Sequence, residues 1–108
     1  MQVDVTDNPE AHRYEAYVDG RLAGFVAYKI TATHVALIHT EIEEAFEGKG
    51  VASTLVKRAL GTVADSGLAL LPVCPYVADY LKRHTDFLDL VPAGERARFD
   101  LPEKAGPG

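Results

Sequence analysis

Glu47-Gly48-Lys49-Gly50-Val51-Ala52-Ser53-Thr54-Leu55-Val56 is where the chain changes period. Before it, apolar residues recur at every second position. After it, Ala52, Leu55, Val56, Ala59, Leu60 and Val63 recur at helical spacing, with Lys57 and Arg58 on the wet side. Asp65-Ser66-Gly67 supplies the stop, with glycine where helices commonly turn left-handed. Gly61 lies inside this helix, where glycine is worse than alanine by roughly 1 kcal/mol, so a close packing contact is expected there. On one side of the helix, His34 to Glu41 reads as a strand whose apolar part is nearly continuous, which suits a central position in a sheet. On the other side, Leu68 to Val73 reads as a second buried strand. Strand, helix and strand in this order predict a right-handed crossover between two parallel strands.

Further out, the signals belong to an antiparallel meander. Val3 and Val5 form a short alternating run ended by Asp7-Asn8-Pro9, and Tyr14, Ala16 and Val18 alternate with Arg13, Glu15 and Tyr17. Asp19-Gly20 is a two-residue hairpin signal, since both turn positions need positive φ. The partner strand runs from Arg21 to Ile30, with Leu22, Gly24, Val26, Tyr28 and Ile30 on one face. Towards the C-terminus, Cys74-Pro75 opens a second helix with Val77, Ala78, Tyr80 and Leu81 as its apolar face. Lys82, Arg83 and His84 fill its last turn, where the dipole favours cations. The order is β-β-β-β-α-β-α and the class α+β, a mixed-sheet α/β arrangement. Residues 1–91 form one domain, and 92–108, rich in Pro, Gly and charge, are expected as a loosely held tail.

Composition narrows the function classes. In 108 residues, 11 Lys+Arg against 16 Asp+Glu give a net charge of −5, which argues against a nucleic-acid binder that works by displacing counterions. The single Cys74 excludes an internal disulfide and a cysteine-rich zinc site, and no other local spacing supports a metal. Lys29 and His34 break the longest apolar run well short of the ~18–20 residues of a membrane span. The start, Met1-Gln2-Val3-Asp4, lacks the basic and apolar regions of a secretory signal, so a cytoplasmic protein is expected.

The glycine loop carries the chemistry. No Ser, Thr, Asp or Asn stands just before the helix stripe; Gly48 and Gly50 stand there instead. An uncapped helix start has unpaired N–H groups and partial positive charge, which suits a phosphate or pyrophosphate. The same glycines would also suit a plain tight turn, and the Lys-Ser/Thr of a Walker loop is missing. With these residues in place, the sequence resembles the GCN5-related N-acetyltransferase superfamily, whose coenzyme A loop follows Gln/Arg-x-x-Gly-x-Gly/Ala. Gly50 and Ala52 match its last part, while Glu47 departs from the usual Arg or Gln. Three blocks, His39-Thr40-Glu41, Ala45 through Leu55, and Cys74-Pro75-Tyr76-Val77-Ala78-Asp79-Tyr80 ending at His84, are similar to a small single-domain branch called YjdJ-type. The resemblance spans Tyr14 to Phe87. It implies a compact fold of that superfamily with two parallel strands splayed apart, and acetyl-CoA or free coenzyme A as cofactor. It also implies a pyrophosphate held by N–H groups from Gly48 to Ala52, with Glu47, Lys49, Val51 and Ser53 in the same binding loop. Ile38, His39 and Thr40 would face the pantetheine or the thioester, with Cys74 and Tyr76 close by.

Four residues are candidates for the reaction itself. Cys74, at a helix start beside the splayed strands, would be a nucleophile or a thiol near the acetyl group; a buried, merely apolar cysteine fits the sequence equally well. His39 is a candidate base for the attacking amine, with Glu41 two residues on pointing the same way along a pleated strand. A histidine satisfied within the sheet is the plainer alternative. Tyr76 could protonate the leaving sulfur; Tyr80, one turn later, is the better candidate for simple packing. Glu41, Glu43, Glu44 and Glu47 form an acidic rim that would attract a cationic amine, from a small molecule such as a polyamine or from a lysine side chain. The leading expectation is therefore an acetyl-CoA-dependent N-acetyltransferase, monomeric or a weak homodimer, with no nucleic-acid or membrane partner. The alternatives are a non-catalytic acyl-CoA-binding module and a thiol switch centred on Cys74.

Overall fold

The computed structural model describes residues 1–103. Five strands form one sheet in chain order: β1 (Asp4–Asn8), β2 (Arg13–Val18), β3 (Arg21–Ile30), β4 (His34–Ile42) and β5 (Ala69–Pro72). The first four are antiparallel neighbours, and β5 pairs parallel with β4. Helix α1 (Val51–Ser66) makes the crossover between β4 and β5, and α2 (Pro75–Arg83) follows β5. This is the expected mixed-sheet α+β arrangement. The turn chemistry is as read: Asp19 and Gly20 take φ of 51° and 78° between paired Val18 and Arg21, and Gly67 ends α1 at φ 75°.

The core lies between the sheet and the two helices. Leu55, Val56, Ala59, Leu60 and Val63 of α1 and Val77, Tyr80 and Leu81 of α2 meet Tyr14, Ala16, Val26, Tyr28, Val35, Leu37 and Leu70 of the sheet. Val51 rather than Ala52 opens the buried stripe of α1. The other sheet face carries Arg13, Glu15, Tyr17, Phe25, His39 and Glu41. There the Arg13 guanidinium sits 4.4 Å over the Phe25 ring and bonds the Glu15 carboxylate at 2.7 Å. Burial alone would raise the Glu15 pKa, but hydrogen bonds from Arg13, Asn8 and Tyr17 outweigh it and hold the carboxyl below its ordinary value.

Two bulges break the strict alternation. The pairing of β2 with β3 steps from Ala16–Gly24 to Tyr17–Leu22, leaving Ala23 unmatched, and that of β3 with β4 steps from Ala27–His39 to Tyr28–Leu37, leaving Ile38 unmatched. An extra residue flips the phase of everything beyond it. Leu22 therefore leaves the core face that Gly24, Val26 and Tyr28 share, and Ile30, expected on that face, lies 51% exposed at the strand end. Gly24 is indispensable for another reason: a Cβ there would lie 2.5 Å from the Glu41 carbonyl oxygen and 2.6 Å from Ile42 Cδ1.

Three further expectations are corrected. Leu68 and Val73 fall outside β5; Val73 N–H turns back to the Leu71 carbonyl and its side chain is exposed. Gly61 has no atom within 4 Å of where a Cβ would sit, so it makes no close contact. The segment after Pro92 is anchored rather than loosely held as far as it is described. Leu101 joins the core, and the buried Arg96 side chain donates to the carbonyls of Val91, at 2.9 Å, and of Glu103. The rest of the expected tail, 104–108, lies outside the described residues.

Candidate functional site

The site forms where β4 outlasts β5. Their pairing ends at Leu37–Pro72, while β4 continues to Ile42. One more backbone bond, from Cys74 N–H to the Leu37 carbonyl at 2.8 Å, closes the seam. Beyond it the strands part, so the edge of β4 from Ile38 onward has no β5 partner. Across the gap the Thr40 hydroxyl oxygen lies 3.3 Å from the Cys74 sulfur.

At the far end of β4 the chain makes a turn over Glu44–Phe46 and enters α1 through Gly48 and Gly50, at φ 74° and 80°. Both values lie in the left-handed region that glycine adopts without strain. Gly50 is the N-cap, no side chain caps the helix, and the first turn has no acid. The Thr54 N–H is the first to bond back, to the Gly50 carbonyl at 3.1 Å. The N–H groups of Val51, Ala52 and Ser53 precede it and have no carbonyl within the helix to receive them.

These N–H groups border a cleft of about 410 Å³, lined by Thr40, Ile42, Phe46, Glu47, Gly48, Gly50, Val51, Ala52, Ser53 and Tyr76. A second concavity of about 540 Å³ adjoins it, lined by Leu22, Gly24, Phe25, Thr40, Glu41, Ile42, Glu43, Glu44 and Glu47. Thr40, Ile42 and Glu47 belong to both. The four glutamates of the acidic rim all line this second concavity.

The bulge at Ile38 decides which of the sequence candidates meet. It turns Thr40 and Ile42 towards the helix side and leaves Ile38, His39 and Glu41 exposed on the opposite face. Ile38 and His39 accordingly line neither concavity. His39 Nε2 does lie 3.5 Å from Glu41 Oε1, the pair expected from the pleat, and its ring meets Phe25 edge-on. Glu41 reaches the rim of the acidic concavity. Lys49 is exposed on the loop, away from the cleft walls. Cys74 is only 3% exposed and lines neither concavity, and its sulfur pairs with the hydroxyl of Thr40, which lines both. Of the tyrosines, Tyr76 lines the cleft, whereas Tyr80 is buried and stacks on His84 at 4.1 Å. Burial, assisted by the charge of Asp86, raises the Tyr80 pKa. Sequence reasoning did not single out Ile42 and Phe46 as cleft walls; the one signal for Phe46 was an aromatic residue inside an acidic loop. Among the described residues, no three His, Cys, Asp or Glu side chains group as metal ligands would. No helix among them is long and apolar enough to cross a membrane.

A family profile described as GCN5-related N-acetyl-transferase matches residues 13–90, from the start of β2 to past α2. The chain belongs to this family. Relatives include the protein NATD1 of Xenopus tropicalis, 38% identical over 50 residues, which are 46% of this chain and 46% of that protein. The human NATD1 is likewise 38% identical over 50 residues, covering 46% of this chain and 44% of the relative. The match thus spans less than half the length of these relatives. A solved structure of a ribosomal-protein-alanine N-acetyltransferase from Brucella melitensis biovar Abortus 2308 superposes with a TM-score of 0.53. It is 23% identical, over 68% of this chain and 60% of its own, a likeness of fold.

Proposed function

We propose that this chain is an acetyl-CoA-dependent N-acetyltransferase, with the cofactor in the cleft at the start of α1 and a cationic amine in the acidic concavity beside it. The observation that carries this reading is the free start of α1, uncapped and without an acid, opening on a cleft whose other wall is the unpaired end of β4. A pyrophosphate there would accept from the N–H groups of Val51, Ala52 and Ser53, and the helix dipole would favour its charge. Glu47, although on the cleft wall, is exposed and free to turn into solvent away from that charge. The pantetheine arm would run from the helix start towards Thr40, where the β4 edge beyond Leu37 offers backbone groups to its amides. The acceptor amine would be drawn by Glu41, Glu43, Glu44 and Glu47 and would attack the acetyl carbon from the second concavity. Glu41, at that rim, and His39, 3.5 Å from it, are the groups available to take the amine proton. Because Cys74 lines neither concavity, direct transfer from thioester to amine is favoured over an acetyl group carried on sulfur.

The test is thermal unfolding with acetyl-CoA or coenzyme A, followed by mass analysis of spermidine and of a lysine-containing peptide incubated with protein and acetyl-CoA. Ligand at ~100 times its dissociation constant adds about 2.7 kcal/mol, a rise of about ten degrees or more in a domain of this size. That rise together with an acetylated amine is the expected result. No rise with either ligand overturns the cofactor site. A rise without acetylation of any amine points to an acyl-CoA-binding module instead.

A further inference from the structure

Cys74 and Thr40 invite a division of labour that neither suggests alone. Cys74 is buried, whereas Thr40 lines both the cleft and the acidic concavity, as Ile42 and Glu47 also do, and of these three it alone carries a hydroxyl where a thioester in the first would meet an amine in the second. The two are 3.3 Å apart. A hydroxyl has one proton to give and two lone pairs to accept with, and a thiol is a weak donor. When the Cys74 S–H donates to Thr40 Oγ1, the Thr40 proton is left to point elsewhere, and the cleft is the open direction.

We propose that Thr40 is the side chain that touches the cofactor sulfur, and that Cys74 is a positioning residue whose thiol fixes the Thr40 hydroxyl towards it. This rests on the cofactor reading above. In the transfer, the amine nitrogen forms a bond to the acetyl carbon and the carbon–sulfur bond of the thioester breaks. The electron pair goes to the departing sulfur, and Thr40 O–H donates a hydrogen bond to the thiolate as it forms. The proton lost by the amine passes through the base and solvent and ends on coenzyme A, giving amide and thiol. The rest of the chain is arranged for this: the Ile38 bulge turns Thr40 inward, and the Cys74 N–H to Leu37 carbonyl bond fixes the cysteine backbone opposite it.

The test needs no acceptor. Calorimetric titration compares coenzyme A with desulfo-coenzyme A, which lacks only the sulfur, in wild type, Thr40→Val, Thr40→Ser, Cys74→Ala and Cys74→Ser. Taking the ratio of the two affinities within each variant cancels general effects on fold or cleft shape. Wild type is expected to prefer coenzyme A, and Thr40→Val to lose about five- to tenfold of that preference, the worth of one hydrogen bond. Thr40→Ser should restore it. Cys74→Ala should lose part of it and Cys74→Ser, which keeps a donor, should retain it. A ratio in Thr40→Val equal to that of wild type overturns the assignment of Thr40, and a wild-type ratio in Cys74→Ala overturns the positioning role. If wild type binds neither ligand, the cofactor reading itself falls and takes this proposal with it, an outcome distinct from binding without discrimination.

Discussion

The two helices begin in the same chemical state and end up with opposite uses. Neither α1 nor α2 has a side-chain cap, and neither has an acid in its first turn. At α1 the left-handed Gly50 leads directly to N–H groups that border an open cleft. At α2 the N-cap is the buried Cys74, the first position is Pro75, which has no N–H to offer, and the cap's own N–H is taken by the Leu37 carbonyl. Charge introduced at the first start would meet solvent and dipole; at the second it would meet the core. On the proposed reading, a helix N-terminus serves as an anion site only where it stays uncovered, as the start of α1 does at its cleft and the start of α2 does not.

The largest effect expected is on binding. Gly50→Glu puts an acid at the mouth of the cleft and forces a side chain into a left-handed conformation, so coenzyme A affinity should fall by about a hundredfold or more, while stability drops by only about 1 kcal/mol. Calorimetry and denaturant unfolding read the two effects separately. At the other helix start, Cys74→Asp supplies a preferred capping residue but buries its carboxylate beside Thr40. Stability should fall by about 3 kcal/mol in denaturant unfolding, and a neutral result would mean that this start is open as well.

A smaller effect is expected on the far sheet face, remote from both helix starts. The Glu15 pKa is lowered in the fold, so its stabilisation is present above the ordinary carboxylate range and is lost as pH falls through the folded value. Unfolding followed from neutral pH into the acid range should show a decline that Glu15→Gln makes shallower. Coenzyme A binding at neutral pH should be the same in both proteins. The smallest effect lies within α1: Gly61→Ala meets open space and should stabilise the domain by about 0.5–1 kcal/mol, leaving the affinity for coenzyme A unchanged.

Much of this was legible because local chemistry and global fold agree. Asp19-Gly20 specifies its hairpin, Gly67 its helix end, and the change of period after Gly50 fixes the crossover and with it where the candidate cleft lies. Bulges were not legible, because an extra residue such as Ile38 or Ala23 is set by pairing with another strand and not by its own neighbours. That one unseen residue separates His39, which alternation would aim into the cleft, from Thr40, which actually lines it. The anchoring of 92–101 was hidden for a related reason. Its composition is that of a loose segment, and the contacts that hold it, the Arg96 bonds, the burial of Leu101, the packing of Phe99 and the Lys82–Asp100 pair, reach other parts of the chain or depend on the fold. The openness around Gly61 likewise depends on what happens to pack nearby, which no spacing within the helix records.

Ser53→Glu tests the central claim most directly. Ser53 is exposed, stands in the first turn of α1 and lines the cleft. An acid there complements the helix dipole and should leave stability unchanged or raise it by about 0.3–1 kcal/mol. The same charge would face the cofactor pyrophosphate, so coenzyme A affinity, measured by calorimetry on the same sample, should fall at least about tenfold. Opposite movement of the two quantities is the predicted result. A Ser53→Glu protein that binds coenzyme A as tightly as wild type would contradict the assignment of this helix start as the cofactor site.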